Sequence, residues 1–522
     1  MDELCYPIGI QTFEKIRSQG MIYVDKTRQV HQLAHGGNCY FLSRPRRFGK
    51  SLLISTLEAY FSGQKELFRG LAMEELEQDW TVYPVLRLDF NAQSYTTPDA
   101  LEEVLDDSLQ RWEATYGADD PRKALPLRFK NVVERAYEQT HQRVVILVDE
   151  YDKPLTQTIL NPELHETYRT QLKAFYSVLK TQDRYLRFAL LTGVTRFSKV
   201  SIFSDLNNLK DISMSSDYAD VCGITEEEIH RYMEPSVQAL ASAQSLTYEE
   251  ACEQLRQNYD GYHFAPDTPG VYNPFSLINA LQDKKLYDFW FETGTPTFLV
   301  QLLQQVEYPL YRLKNEEATA ASLGNVADFR QNPIPMLYQS GYLTIHGYDT
   351  RFRTYTLGFP NGEVERGFCD FLLPYYTPIR SNSTTFAISR FVLAVERGDP
   401  EDFMERLVAL YEGTNYQVVG DMEKHYQNSL FLIFTLMGQF TQTEYHTARG
   451  SIDLLVQTKD YVYLIECKLD KSAQEALRQI DERGYAAPFA KDPRRLFKIG
   501  INFSTATRGI ESYLIESRPA AD

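Results

Sequence analysis

Apolar residues fall into two rhythms along this chain of 522 residues. Short apolar runs at 39–42 and 144–148, a mostly apolar one at 186–191 broken only by Arg187, and a strand-like run at 85–90 largely lack the polar alternation of a strand that faces water. Strands buried on both faces read this way, so the first two hundred residues predict a parallel sheet covered by helices. Between the runs, apolar positions recur at helical spacing. Residues 216–290 are helix-rich and open on the capping pattern Thr225-Glu226-Glu227-Glu228, which predicts a small helical lid. Further on, 337–345 and 354–361 alternate as strands after helices, joined by a polar Gly-Tyr-Asp turn, and suggest the wing of a winged helix. The wing carries few Lys or Arg, which favours a packing role over DNA binding. The last segment holds two more strands, 450–456 and 461–468, followed by a helix.

Size and charge narrow this picture. The length exceeds what one core fills, and no internal repeat or low-complexity linker marks the boundaries, which fall near 1–215, 216–290, 291–375 and 376–522. Lys and Arg number 54 against 71 Asp and Glu, so 54 − 71 gives −17 and opposes adhesion of the whole surface to nucleic acid. Any nucleic-acid site must be a local basic channel. Six scattered cysteines without a C-x-x-C pair exclude a zinc ribbon and a disulfide scaffold and fit a reducing cytoplasm. The acidic N-terminus lacks a secretory pattern. The longest apolar run, 430–437, is far shorter than the ~20 residues of a membrane span, so a cytoplasmic protein without a membrane partner is expected.

Chemistry gathers first at residues 38–55, where a strand, a basic loop and a helix start follow one another. Gly49-Lys50-Ser51 completes most of a phosphate-binding loop, in which backbone amides cradle phosphates, the lysine reaches the β/γ oxygens and the hydroxyl holds Mg2+. Arg44 occupies the position of the usual first glycine, and it either contacts phosphate or builds a different turn. The run 144–148 closes on Asp149 and Glu150, at the edge of a parallel sheet where ligands collect. Asp149 suits Mg2+, and Glu150 suits orientation and activation of the attacking water. Thr192 and Arg196, after the next strand, are candidates for the γ-phosphate or else a cap and a surface charge. Arg46, Arg47 and Arg196 are the arginines that could act on phosphate, including across an interface of a homo-oligomer.

A second constellation closes the chain. Glu466 and Lys468 stand two apart in a strand and therefore share a face, and Asp453 on the neighbouring strand can meet them. Two carboxylates there suit Mg2+ or Mn2+, and a lysine beside them can position or deprotonate a water: the D…E-x-K arrangement of a restriction-type nuclease. Glu423, Gln479 and Tyr485 are candidate additions to this site.

Taken together, the chain resembles, over nearly its whole length, a bacterial family with an N-terminal AAA-ATPase-like domain and a C-terminal PD-(D/E)XK nuclease-like domain. The resemblance rests on Tyr23-Val24-Asp25-Lys26-Thr27, on 44–51, on Val148-Asp149-Glu150-Tyr151-Asp152, on 341–344 with 355–361, and on Gly450-Ser451-Ile452-Asp453 with Ile465-Glu466-Cys467-Lys468. Relatives in that family also lack the first loop glycine, and Ile452 stands where the nuclease superfamily often has proline. The resemblance implies an α/β chain: an AAA-like P-loop core with a helical lid and a winged-helix-like region, then a restriction-endonuclease-like α/β domain. It also implies ATP with Mg2+ as cofactors, and DNA or RNA as the partner. The expected activity is an ATP-controlled, metal-dependent nuclease in which turnover rearranges the lid and the winged helix. The alternative is an ATP-driven switch or scaffold whose nuclease-like domain binds without cutting.

Overall fold

The apolar runs near the N-terminus fold as one parallel sheet. In a computed structural model of the chain, residues 4–118, 120–196, 208–291, 297–324, 331–380, 383–412, 422–438, 441–448 and 451–518 are described. Two compact units emerge, one made of Met1–Gly294 and Asn315–Val364, the other of Thr295–Lys314 and Glu365–Asp522. The stretch 291–375, which reads as a single region in the sequence, is thus shared between them.

In the first unit, β1 (Cys39–Ser43), β2 (Val85–Asp89), β3 (Val144–Asp149), β4 (Leu186–Gly193) and β5 (Lys210–Asp211) lie in the order β2-β3-β4-β1-β5. All their pairings are parallel. Every position of β3 is buried, which explains its unbroken aliphatic run. Edge strand β2 instead alternates, with Leu86 and Leu88 inside and Arg87 bonded to Glu58 at 2.7 Å. Register aligns Ser43 with Gly193 and Asp89 with Asp149. The loop after β1, the acids ending β3 and the end of β4 therefore share one edge of the sheet.

Helix α1 (Thr27–Gly36) precedes β1, α2 (Lys50–Phe61) follows it, and α3 (Ala72–Leu76) comes before β2. Asp25 anchors this region, with Oδ1 accepting from the Thr27 amide at 2.9 Å and Oδ2 from the Ala72 amide at 2.8 Å. The helical segment consists of α4 (Glu226–Tyr232), α5 (Glu234–Gln244), α6 (Tyr248–Tyr259) and α7 (Pro274–Asp283), around a core that includes Met233, Val237, Leu240 and Leu277. The Thr225–Glu228 capping box forms, and Thr247 with Glu250 makes a second.

The wing is a three-stranded antiparallel sheet: β6 (Glu316–Thr319), β7 (Thr344–Asp349) and β8 (Thr354–Gly358), ordered β6-β8-β7. Its entry differs from the sequence reading, since 337–339 end helix α8 (Ile334–Gln339) and are not strand. Proline in the first turn favours that helix. Gly341, at φ 88°, then turns the chain toward β7, and a Cβ there would meet the Pro45 ring at 2.6 Å.

The second unit holds α9 (Met422–Met437) and β9 (Gln442–Ala448), β10 (Ser451–Gln457), β11 (Tyr461–Leu469), β12 (Arg495–Ser504) and β13 (Gly509–Arg518), in the order β13-β12-β11-β10-β9. Only β11 and β12 run parallel, so a crossover must join them. Helix α10 (Ala473–Glu482) provides it, burying Leu477 and Ile480 against Val462, Leu464 and Leu496. Gly500 permits this close approach, because a Cβ there would lie 2.3 Å from the Ala473 carbonyl oxygen. The apolar run 430–437 lies within α9, with Leu430, Phe431, Leu432 and Ile433 buried. Among the described residues, no helix is long and apolar enough to cross a membrane.

Candidate functional sites

The basic loop turns sharply before α2. Gly49 adopts φ 90°, a conformation that costs glycine little, and hands the chain to the helix at Lys50. The Lys50 side chain is buried, and Nζ donates to the carbonyls of Arg44 and Pro45, each at 3.0 Å. Among the described residues its hydrogen bonds go to neutral carbonyls of its own loop, and an ammonium group so held is poised for a stronger anionic acceptor. Phe48 anchors the loop from beneath, edge-on to Tyr262 at 4.7 Å.

Arg44 resolves the two alternatives left by the sequence. Its guanidinium points into the protein, where Nη1 donates to the carbonyls of Ser43 and Ser213 at 2.9 and 2.7 Å and Nη2 to that of Tyr218 at 2.8 Å. The Phe264 ring lies 3.9 Å from its central carbon. Burial lowers its pKa. The residue therefore replaces the glycine turn with a tether from the loop to the backbone beyond β5.

Asp149 is fully buried at the end of β3, where Thr192 Oγ1 donates to its Oδ1 at 2.9 Å. Its Oδ2 has no hydrogen-bond partner among the described residues, and such an atom is costly unless a ligand completes it. Glu150 follows at φ 52°, with its carboxyl pushed up by burial and pulled back by the Lys50 charge. Other left-handed residues such as His141, Ser245 and Lys284 close helices. Arg47, at φ 71°, and Glu150 instead line one cleft, and holding each there costs about 1–3 kcal/mol.

That cleft has a volume of ≈ 590 Å³ and brings together Arg46, Arg47, Gly49, Lys50, Ser51 and Glu150. Pro7 to Gln11, from the segment ahead of α1, form another wall, and Asn91, Lys153, Gln157, and Phe275 with Ile278 of α7 complete it without having been anticipated from sequence. Arg47 lies over the Phe275 ring at 4.3 Å, and Lys153 Nζ donates to Asn91 Oδ1 at 3.1 Å. The Asn273 cap that starts α7 is the one sequence sign of this wall. Asp152, buried, takes the amides of Val194 and Thr195 at 3.2 and 2.6 Å and so ties the segment after β3 to that after β4.

Arg196 lies elsewhere. Its Nε is 2.8 Å from Asp211 Oδ2, its amide donates to Gln339 Oε1 at 2.5 Å, and it lines a separate small cavity with Arg44 and Tyr338. Thr192 is engaged with Asp149. The structure thus joins the loop, Asp149, Glu150 and Thr192 at one sheet edge but does not bring Arg196 into the large cleft.

In the second unit, register sets Asp453 directly opposite Glu466. The Asp453 side chain lies outside the described residues, as does Gly450. Glu466 is fully buried in β11, and Lys468, also buried, donates from Nζ to Glu466 Oε1 and to Gln479 Oε1, each at 2.6 Å. Gln479 reaches the pair from α10, directly across from β11. Glu423 starts α9 and accepts from Gln427 Nε2 at 3.2 Å. The two side chains thus form a buried ion pair. Such a pair can ligate a cation through the carboxylate and orient a water through the lysine.

Comparison with known proteins agrees with this division. Residues 7–203 match a family described as a predicted AAA-ATPase, and 421–513 one described as the PD-(D/E)XK nuclease superfamily. A protein of Azotobacter chroococcum mcd 1, described as an uncharacterized protein in the vnfD 5' region, is 35% identical over 537 residues and spans 98% of both chains. The ORC2 protein of Aeropyrum pernix, solved as ADPNP and ADP complexes, covers 69% of this chain and 92% of its own at 12% identity. Its TM-score is 0.24.

Proposed function

The chain belongs to the predicted AAA-ATPase family that carries a C-terminal PD-(D/E)XK nuclease-like domain, and we propose that it binds and hydrolyses ATP to control metal-dependent cleavage of nucleic acid. One observation carries the first half: Lys50, Ser51 and Glu150 meet in one cleft, with Asp149 Oδ2 unmatched behind them. Gly49, the α2 amides and Lys50 would hold the phosphates, with Arg46 and Arg47 at the rim. Ser51 and Asp149 would hold Mg2+, which when bound neutralises phosphate charge. Glu150, with its raised affinity for a proton, would orient the attacking water and accept its proton. Thr192 holds Asp149 in place for this role.

For the second half, Asp453 and Glu466 would hold the cation, and Lys468, steadied by Gln479, would orient the water that attacks a phosphodiester. Two measurements on the purified chain test the reading. Glu150→Gln should still bind ATP but release phosphate about 100-fold more slowly or worse, as loss of a general base demands. Asp453→Ala should no longer cut DNA or RNA in Mg2+. Equal phosphate release removes Glu150 from the reaction, and undiminished cutting removes the nuclease assignment in favour of a domain that binds without cutting.

A further inference from the structure

Apart from both sites, the first unit holds a cluster that neither uses. His31 and His35 stand one turn apart on α1, their rings stacked at 4.1 Å between centroids. Glu77, the residue that follows α3, brings a buried carboxylate to them. One ligand atom from each of the three can be chosen so that all lie within 4.8 Å of one another.

The hydrogen bonds fix how these atoms face. His35 Nδ1 is 2.9 Å from the His31 carbonyl oxygen, which only accepts, so Nδ1 carries the proton. The neutral ring then presents a lone pair at Nε2, 3.7 Å from Glu77 Oε2. A ring nitrogen that donates to a backbone carbonyl while its other nitrogen faces outward is the usual orientation of a metal-binding histidine. Glu77 is itself fixed, since Oε1 accepts from the Asp79 amide at 2.8 Å and Oε2 from the Tyr60 hydroxyl. Two lone-pair donors face each other here, and either a proton on His35 or a cation between them completes the contact.

We propose that His31, His35 and Glu77 form a binding site for a late first-row divalent cation, Zn2+ foremost. Two imidazoles and one carboxylate are a donor set suited to zinc, and the exposed side of His35 leaves a fourth position for water. The site has a structural consequence. Asp25 and Thr27 already fasten the start of α1 to the start of α3, through the amides of Ala72 and Met73. A cation on His31, His35 and Glu77 fastens their far ends and makes the α1–α3 pair rigid along its length.

The test uses the full chain carrying Asp453→Ala, which removes one carboxylate of the acidic pair in the second unit as a competing binder. After chelator treatment, Zn2+ is titrated in excess Mg2+, and Co2+ is used as a spectroscopic replacement. One equivalent of Zn2+ should bind, and Co2+ should show the bands of a tetrahedral, imidazole-ligated ion. His35→Ala, at a half-exposed position, should fold normally and bind Zn2+ roughly 100-fold more weakly, at the upper end of what losing even a supporting group costs. Glu77→Gln should do the same, and His35→Gln provides a second variant that keeps a polar side chain. No binding by the parent chain, or equal affinity after His35→Ala, overturns the site.

Discussion

Arg44 shows how one residue can carry a departure from a common motif. An ordinary phosphate loop has glycine there, and a chain with arginine must satisfy five guanidinium donors in a buried place. The carbonyls of Ser43, Ser213 and Tyr218 and the Phe264 ring provide the setting. Restoring the glycine should therefore harm the protein. Arg44→Gly takes the side-chain donor from the buried Ser213 carbonyl and leaves that of Tyr218 with only the long bond from the Val221 amide at 3.4 Å, and at about 1–3 kcal/mol each the first unit loses roughly 2–6 kcal/mol. Scanning calorimetry should show a lower midpoint for that unit, and ATP affinity should fall with the tether between loop and sheet. An unchanged midpoint with tighter nucleotide binding would mean that the loop wanted its glycine after all.

Elements decide how much of each site can be read in advance. Period-two spacing was enough to put Glu466 and Lys468 on one face of β11, and a hairpin set Asp453 opposite. The short apolar runs likewise announced β1, β3 and β4, because a strand buried on both faces has no polar alternation to confuse the signal. Arg196 could not be located this way, since its partners Asp211 and Gln339 arrive from distant elements. The wall at Phe275 carries no charge pattern and exists only once α7 is packed. His31 and His35 share a helix face by spacing alone, but nothing local points to Glu77. The β11 pair makes its own prediction. Lys468→Met takes the ammonium from the buried Glu466 carboxylate and should cost the second unit about 3–5 kcal/mol. Adding Glu466→Gln removes the charge and should restore over half of that in denaturant unfolding, although every one of these variants should be inactive in cutting. Strictly additive losses would show that the two groups do not support each other.

Across the whole molecule, the proposal requires two chemistries in one chain to communicate, and thermodynamics states what that means. If ATP alters the affinity for nucleic acid by some factor, nucleic acid must alter the affinity for ATP by the same factor, commonly about 5–150-fold. The net charge of −17 makes this measurable, because non-specific adhesion contributes little background. Both affinities should be determined at one fixed salt concentration for wild type, Lys50→Ala and Glu150→Gln. Wild type should show reciprocal factors and cut only with ATP present. Glu150→Gln, which should bind ATP without turnover, separates two forms of control: cutting that persists in this variant is controlled by ATP binding, and cutting that stops requires hydrolysis. Lys50→Ala removes the ammonium that answers the phosphates and should lose both the coupling and the ATP-dependent cutting. If Lys50→Ala instead cuts as fast as wild type at every ATP concentration, the P-loop unit does not govern the second site, and the two chemistries share a chain without sharing a switch.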